Sequence, residues 1–430
     1  MGKIQIILIG NFISKGSDML HFLMLSFGLV HIGLANPLTL DEIYQASKLN
    51  MESIKKAEGQ IRQSTEKKKQ AIGALLPSVR FVATETRIDA PSAGMINRAF
   101  VLNRQYSTAF RLEQPLLRGG SLAALELTEE EILLNKFFKN FQHLNLYQVV
   151  LRNYFDLVRA THDLQLLNEL LFLSEKREKE LKYLTKLGRS RKSELIQAEA
   201  QSLGVKAKIY EAGIFLNQSR ENLKYLSGLE VNEILPVGHF NEEIPNSAQF
   251  ESLISKRPDV LMKDQEIAMA QKQVTIAKGG HYPSVDFFSN YYVDRTGILQ
   301  TSDWDFGVSI SLPLFQGGSV QASVRESLER KREAELSQLE LKRSLKRDLS
   351  ILYKNYLQLR EQLKTLQLTV TKTKEAYELN LRDYELGQIT NLEVLQSMNL
   401  YIENKRTYQS LLVEAHAQWK NLEAFSGDIP

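Results

Sequence analysis

Asp303–Val320 reads DWDFGVSISLPLFQGGSV. Its first ten residues alternate without a fault. Trp304, Phe306, Val308, Ile310 and Leu312 are apolar, and Asp303, Asp305, Gly307, Ser309 and Ser311 are polar or small. Successive side chains of a strand point to opposite faces, so this stretch reads as a strand with one wholly apolar face. Pro313 then removes a ladder donor, which reads as the strand's end. Gly317-Gly318 permits a tight corner into a segment of helical periodicity.

The corner occurs twice. LEQPLLRGGSL at Leu112–Leu122 echoes ISLPLFQGGSV at Ile310–Val320, with Pro115 and Pro313 198 residues apart. LLPSVRF (Leu75–Phe81) echoes HYPSVDF (His281–Phe287), Pro77 and Pro283 being 206 apart. Gly188 and Gly387 are 199 apart, each followed six positions on by an acid, Glu194 and Glu393. NLKYLSG (Asn222–Gly228) matches NLEAFSG (Asn421–Gly427) at the same 199. Ordered landmarks at a nearly constant offset define an internal repeat. The drop of eight places a surplus in the Ala90–Phe100 loop, APSAGMINRAF, which has turn chemistry.

Each half reads as helix, two strands, long helix, return helix. Thr39-Leu40-Asp41-Glu42 is a capping box opening a first helix that runs to about Leu75; its counterpart runs from about Phe250 to Lys278. The long helices span Ser121–Leu187 and Ser319–Leu386, and the return helices about Ser190–Ser227 and Thr390–Ser426. A helix of roughly 68 residues measures about 100 Å. Two shorter helices stacked end to end match that length, which suits the wall of a tube or an extended coiled coil. The divisions expected are a leader at 1–35, a first repeat at 36–228 with its hairpin at about 78–114, a connector at 229–247, and a second repeat at 248–430 with its hairpin at about 284–314.

Arg104–Gln114 alternates like Asp303–Leu312; Ser284–Asp294 does so less cleanly because Phe288 and Tyr292 break its polar face, and Ser78–Asp89 is weakest, with Glu85 and Arg87 on its apolar side. Amphipathic strands of about ten residues with aromatic ends fit a membrane β-barrel; a soluble sheet over a core uses the same alternation. The N-terminus decides for export. Lys3 and Lys15 precede the apolar run Met19–Ile32, and Gly33-Leu34-Ala35 offers small residues for cleavage near Ala35–Asn36. That run is shorter than the roughly 20 residues of a spanning helix. Four strands leave two open edges, which lipid does not tolerate, so spanning strands require several copies in one barrel.

Composition narrows the rest. Lys plus Arg minus Asp plus Glu is 54 − 51 = +3, too balanced for a nucleic-acid surface. There is no cysteine, which excludes disulfides, thiolate metal sites and a lipid-anchored Cys. His143, His162, His239, His281 and His416 are scattered, so no metal site is expected, and no phosphate loop, dinucleotide fingerprint or nucleophile elbow occurs. Neither an enzyme nor a cofactor is expected.

With PLLRGG, PLFQGG, RPDV at Arg257–Val260 leading to AKGGHYPSV, and YELGQITNLEVLQS at Tyr384–Ser397, the chain resembles the TolC-like outer-membrane efflux protein family. The resemblance implies a homotrimer: a trimeric α-helical barrel in the periplasm, continuous with a shared twelve-stranded outer-membrane β-barrel to which each protomer gives four strands. It also implies an exit duct in outer-membrane lipid. Its partners would be a periplasmic adaptor and an inner-membrane transporter of the RND, ABC or MFS type.

By the same resemblance the gate lies at the periplasmic helix tips. Tyr384 matches a tyrosine of the family's constricting network, and Glu393 an acid of a cation-attracting ring, with Glu194 its first-half counterpart. Gln396 stands where the family prototype has a second acid and Ile389 where it has a gate arginine; Arg189 and Arg191 are candidate substitutes. Adaptor-contact turns fall at Gly188, Arg189, Leu386, Gly387 and Thr390. The strand-to-helix corners are Pro115, Gly119, Gly120, Pro313, Gly317 and Gly318. The competing reading is a periplasmic adaptor or structural coiled-coil protein without a pore, which predicts one helical hairpin and strands gathered in compact modules.

Overall fold

The computed structural model describes residues 38–87, 104–231, 247–296, 300–425, 427 and 429. The leader, the Ala90–Phe100 loop and most of the 229–247 connector lie outside these residues.

Thr39 caps α1 (Leu40–Asn50). Its hydroxyl accepts from the Glu42 N–H at 3.2 Å, and the Glu42 carboxylate accepts from the Thr39 N–H at 2.8 Å. The sequence predicts one helix to about Leu75, but the structure breaks it at Met51, whose extended backbone starts α2 (Glu52–Gly73). Asn50 gives the reason: its amide donates to the Tyr225 and Leu226 carbonyls at 3.0 and 3.2 Å, satisfying the end of another helix rather than continuing its own. Then follow β1 (Ser78–Arg87), β2 (Arg104–Leu117), α3 (Ser121–Lys186) and α4 (Lys192–Ser227), whose end Asn50 holds.

The second half contains α5 (Ser247–Leu253), a single 3-10 turn (Ile254–Lys256), α6 (Pro258–Gly279), β3 (Ser284–Arg295), β4 (Trp304–Ser311), α7 (Ser319–Glu385) and α8 (Asn391–Phe425). Both α2 and α6 have 22 residues, and their caps, Met51 and Arg257, stand 206 apart like Pro77 and Pro283. The break hidden in the first half is therefore written openly in the second as RPDV. Pro258 sits at the first helical turn, where its missing N–H costs nothing. Buried Arg257 donates to the Phe425 carbonyl, pairs with Asp259 at 2.9 Å and lies 4.6 Å from the Phe425 ring centre. A cation is favoured at a helix C-terminus, so RPDV fastens α8 as Asn50 fastens α4.

With 66 and 67 residues, α3 and α7 are each about 100 Å long. Helices α2 and α4 pack along α3, and α6 and α8 along α7, while α3 also packs on α6 and α8 and so joins the halves. Leu170 of α3 shares an apolar cluster with Leu395, Met398 and Ile402 of α8. A broader core around α1 gathers Ile43, Tyr44, Tyr147, Val150, Leu151 and Val413. Half-buried ion pairs run along the same seam: Arg159–Glu414 at 2.8 Å, Arg406–Asp163 at 2.6 Å and Lys405–Glu169 at 2.7 Å.

The strands form one antiparallel sheet, β1-β2-β3-β4, with β1 and β4 at its edges. Pairing Phe81 with Phe110, Phe110 with Tyr291 and Tyr291 with Trp304 lays an aromatic row across one face. All four are exposed, as are Val79, Phe306, Val308 and Ile310 beside them. Pro115 departs from expectation: β2 continues past it to Leu117, and a register irregularity opposite Asp286 absorbs the lost donor. Pro313 does lie beyond its strand. Among the described residues no helix is long and apolar enough to cross a membrane.

Candidate channel sites at the helix tips and on the strand face

At both tips the chain reverses by the same device. Leu187 and Leu386 end the long helices, and Gly188 and Gly387 follow with φ of 73°. Gly188 donates to the Thr185 carbonyl and Arg189 to Leu184; Gly387 donates to Tyr384 and Gln388 to Asp383. These paired bonds close a helix end, and the left-handed residue they require is why glycine occupies both positions.

The return helices start with an acid at the third position. Glu393 accepts from the Thr390 N–H at 2.7 Å and from its hydroxyl at 3.1 Å, so it serves the start of α8. Glu393 and Gln396, three apart, share an exposed helix face. Glu194 is placed differently: it accepts from the Ser190 hydroxyl at 2.6 Å and from the Tyr384 hydroxyl at 3.4 Å. Burial pushes this carboxyl up, but the Ser190 hydroxyl, the Arg191 and Asn391 hydrogen bonds and the Tyr384 hydroxyl together hold it below the usual glutamate value. The structure thus joins Glu194 with Tyr384 and leaves Glu393 and Gln396 apart from them.

Sequence reasoning missed Arg177. It is buried on α3, its guanidinium carbon lies 3.9 Å from the Tyr384 ring centre, and Nε donates to Asn391 Oδ1 at 2.8 Å. Nη1 reaches Glu180 at 3.3 Å, and the Asn391 amide donates to the Glu194 carbonyl at 3.5 Å. Arg189 and Arg191 are both exposed; the cation beside Tyr384 is Arg177. Asn391 is 214 residues from Arg177 in the chain, so no local motif announces the pair. Arg189, Leu386 and Thr390 lie exposed at the tips.

The second site is the polar face of the sheet. Arg111 donates to Asn290 Oδ1 at 2.9 Å, the Asn290 amide to Asp305 at 2.7 Å, and the Tyr292 hydroxyl to the other Asp305 oxygen at 2.8 Å. Phe288 looks misplaced there until Gly307 is considered. A Cβ on Gly307 would fall 2.7 Å from the Phe288 ring, so the ring occupies the space a side chain would fill. At the corners, Gly120 and Gly318 precede α3 and α7 with φ of 83° and 82°. Gly119 meets α6 backbone to backbone: its Cβ would stand 2.0 Å from the Gly279 carbonyl oxygen. Among the described residues no acid–histidine cluster could hold a metal.

A paired long-helix scaffold carrying a four-stranded sheet with an exposed apolar face is the fold of outer-membrane channel proteins in solved structures. The chain aligns with CusC at a TM-score of 0.79 and 16% identity, over 91% of this chain and 92% of that one. It aligns with the Campylobacter jejuni CmeC outer membrane channel at 0.76 and 18% identity, over 90% and 85%. In sequence it is 23% identical to the outer membrane protein TolC of Vibrio cholerae over 385 residues, 85% of each chain. Residues 250–427 match the outer membrane efflux protein family. The second half of the chain thus matches the outer membrane efflux protein family, and the chain as a whole has the fold of these solved channels.

Proposed function

We propose that the chain is the outer-membrane exit duct of a tripartite efflux or secretion assembly, residing in the outer membrane with a large periplasmic portion. The observation that carries this reading is the sheet. Its aromatic row and apolar face are exposed on an object whose helices reach about 100 Å from it. Lipid is the solvent that such a face fits, and open edges at β1 and β4 require further copies to close a barrel. Three copies give twelve strands, enough for a lumen lined by Arg111, Asn290 and Asp305. The helix tips then meet a periplasmic adaptor through the Gly188–Arg189 and Leu386–Thr390 turns, and an inner-membrane transporter delivers cargo. Glu194, Tyr384, Glu393 and Gln396 belong to the gate in this reading. Three Glu393 carboxylates around the axis would attract cations.

Extraction and reconstitution test the proposal. The native protein is expected to need detergent for release from envelopes, to run as a trimer, and to conduct ions in planar bilayers. Release by salt or carbonate as a monomer would sink the duct and favour a peripheral coiled-coil role.

A further inference from the structure

We propose that the loop end of the first hairpin binds the phosphate group of a membrane lipid, through Arg87 of β1 and Arg104 of β2. This rests on the lipid-facing reading of the sheet given above and assigns that face a ligand.

Glu85 and Arg87 are the two residues that spoil the apolar side of β1 in the sequence. The register shows what they join. Val79–Leu112, Phe81–Phe110, Ala83–Thr108, Glu85–Tyr106 and Arg87–Arg104 are directly opposed pairs with no bulge between them, so their side chains share one face. That face passes from apolar near the helices to charged at the loop end. Arg87 stands eight residues beyond Val79. At about 3.3 Å per residue and a strand tilt of about 40°, that is about 20 Å up a lipid-facing band about 25 Å tall. The charges therefore fall at headgroup depth, where a charge on the lipid face costs little.

Glu85 gathers the cations. Arg104 donates Nε and Nη2 to its two oxygens at 2.9 and 3.0 Å, and Arg87 donates Nε at 3.0 Å. Two guanidiniums on one carboxylate leave one positive charge uncompensated. The Arg87 and Arg104 side chains are 79% and 65% exposed. Among the described residues Nη1 of Arg104 and both Nη atoms of Arg87 meet no acceptor. A guanidinium fork matches phosphate oxygens bidentately, and the shared carboxylate holds the two forks side by side.

A cross-strand ion pair alone explains less. Bidentate Arg104 is enough to pair Glu85, so Arg87 is a surplus cation. Charge is also not a general property of a strand end in this sheet. The offset of 206 carries Glu85 and Arg87 onto Tyr291 and Val293, and 198 carries Tyr106 onto Trp304. All three equivalents are exposed. At the equivalent level the second hairpin thus offers the aromatic side chains of a membrane interface, and the first offers cations. A phosphorylated lipid fits the first: its phosphate at Arg87 and Arg104, its chains against Phe81 and Phe110.

Native mass spectrometry of the intact protein in detergent tests the site. Lipid A bearing both phosphates should be retained in preference to phosphatidylcholine. Arg87→Gln with Arg104→Gln should weaken that retention about tenfold, the loss of one charged hydrogen bond. Lys179→Gln with Lys182→Gln, which removes two exposed charges near the far end of α3, should leave it unchanged. Arg87→Gln alone keeps the Arg104–Glu85 pair and with it the hairpin, so it should lose much of the preference with an unaltered thermal melt. Full preference in that variant, or equal retention of the two lipids in the unmodified protein, would reduce the cluster to a cross-strand ion pair. Displacement of the lipid by excess inorganic phosphate would make it a free-anion site. Each of these results overturns the lipid site and leaves the membrane reading intact. A protein that retains neither lipid and stays soluble without detergent overturns both.

Discussion

Arg177 lies under the Tyr384 ring with one nitrogen on Asn391, and these partners flank the turn that reverses α7 into α8, Tyr384 in the last turn of α7 and Asn391 at the start of α8. A partly desolvated cation–π contact contributes about 0.5–2 kcal/mol, and a hydrogen bond to a charged group about 1.5–3 kcal/mol. Arg177→Met should therefore loosen the tip and raise conductance in bilayers, with Arg177→Lys recovering only part because ammonium cannot stack and donate from the same plane. Unchanged conductance in Arg177→Met would exclude Arg177 from the proposed gate. Glu194 gives the tip a pH dependence of known sign. Its carboxyl is held below the usual value, so its contribution is complete above the ordinary glutamate pKa of about 4.3 and is lost as pH falls through its own lower value. Acidification should open the tip through that window, and Glu194→Gln should flatten the response in bilayer recordings.

Among the elements, β4 was the easiest to read and α1 the hardest to end. Period-two alternation in DWDFGVSISL needs no partner to be recognised, because one exposed face against one polar face dictates it. The break at Met51 has neither glycine nor proline beside it. It exists because Asn50 is drawn to carbonyls 175 and 176 residues away, and only the repeat, through RPDV, could have disclosed it. Phe288 is intermediate: the sequence marks it as an intruder on a polar face, and the structure supplies Gly307 as its seat. Gly307→Val should expel that ring and reduce the yield of heat-resistant trimer in envelopes. Adding Phe288→Ala should restore much of it. Failure of the second change to help would mean that Gly307 serves the backbone rather than the ring.

Across the whole molecule the repeat explains more than any single contact. It predicts the helix order and the sites of the glycine corners from the sequence, and its offsets carry the observed register of β1 on β2 onto that of β3 on β4. The tip latch was not legible, since its members come from α3, α7, α8 and α4 and meet only once the long helices are laid side by side. The two corners also differ in a way that reaches beyond geometry. The first is sealed by Gly279, whereas at the second Leu314 and Phe315 stand 88% and 89% exposed. A lone protomer thus exposes more apolar surface at the second corner than at the first, where the equivalent Leu116 and Leu117 are 57% and 53% exposed. If copies share one barrel as proposed, encounter between them becomes part of maturation itself, and the yield of finished channel should depend on how fast chains are exported relative to how fast they meet.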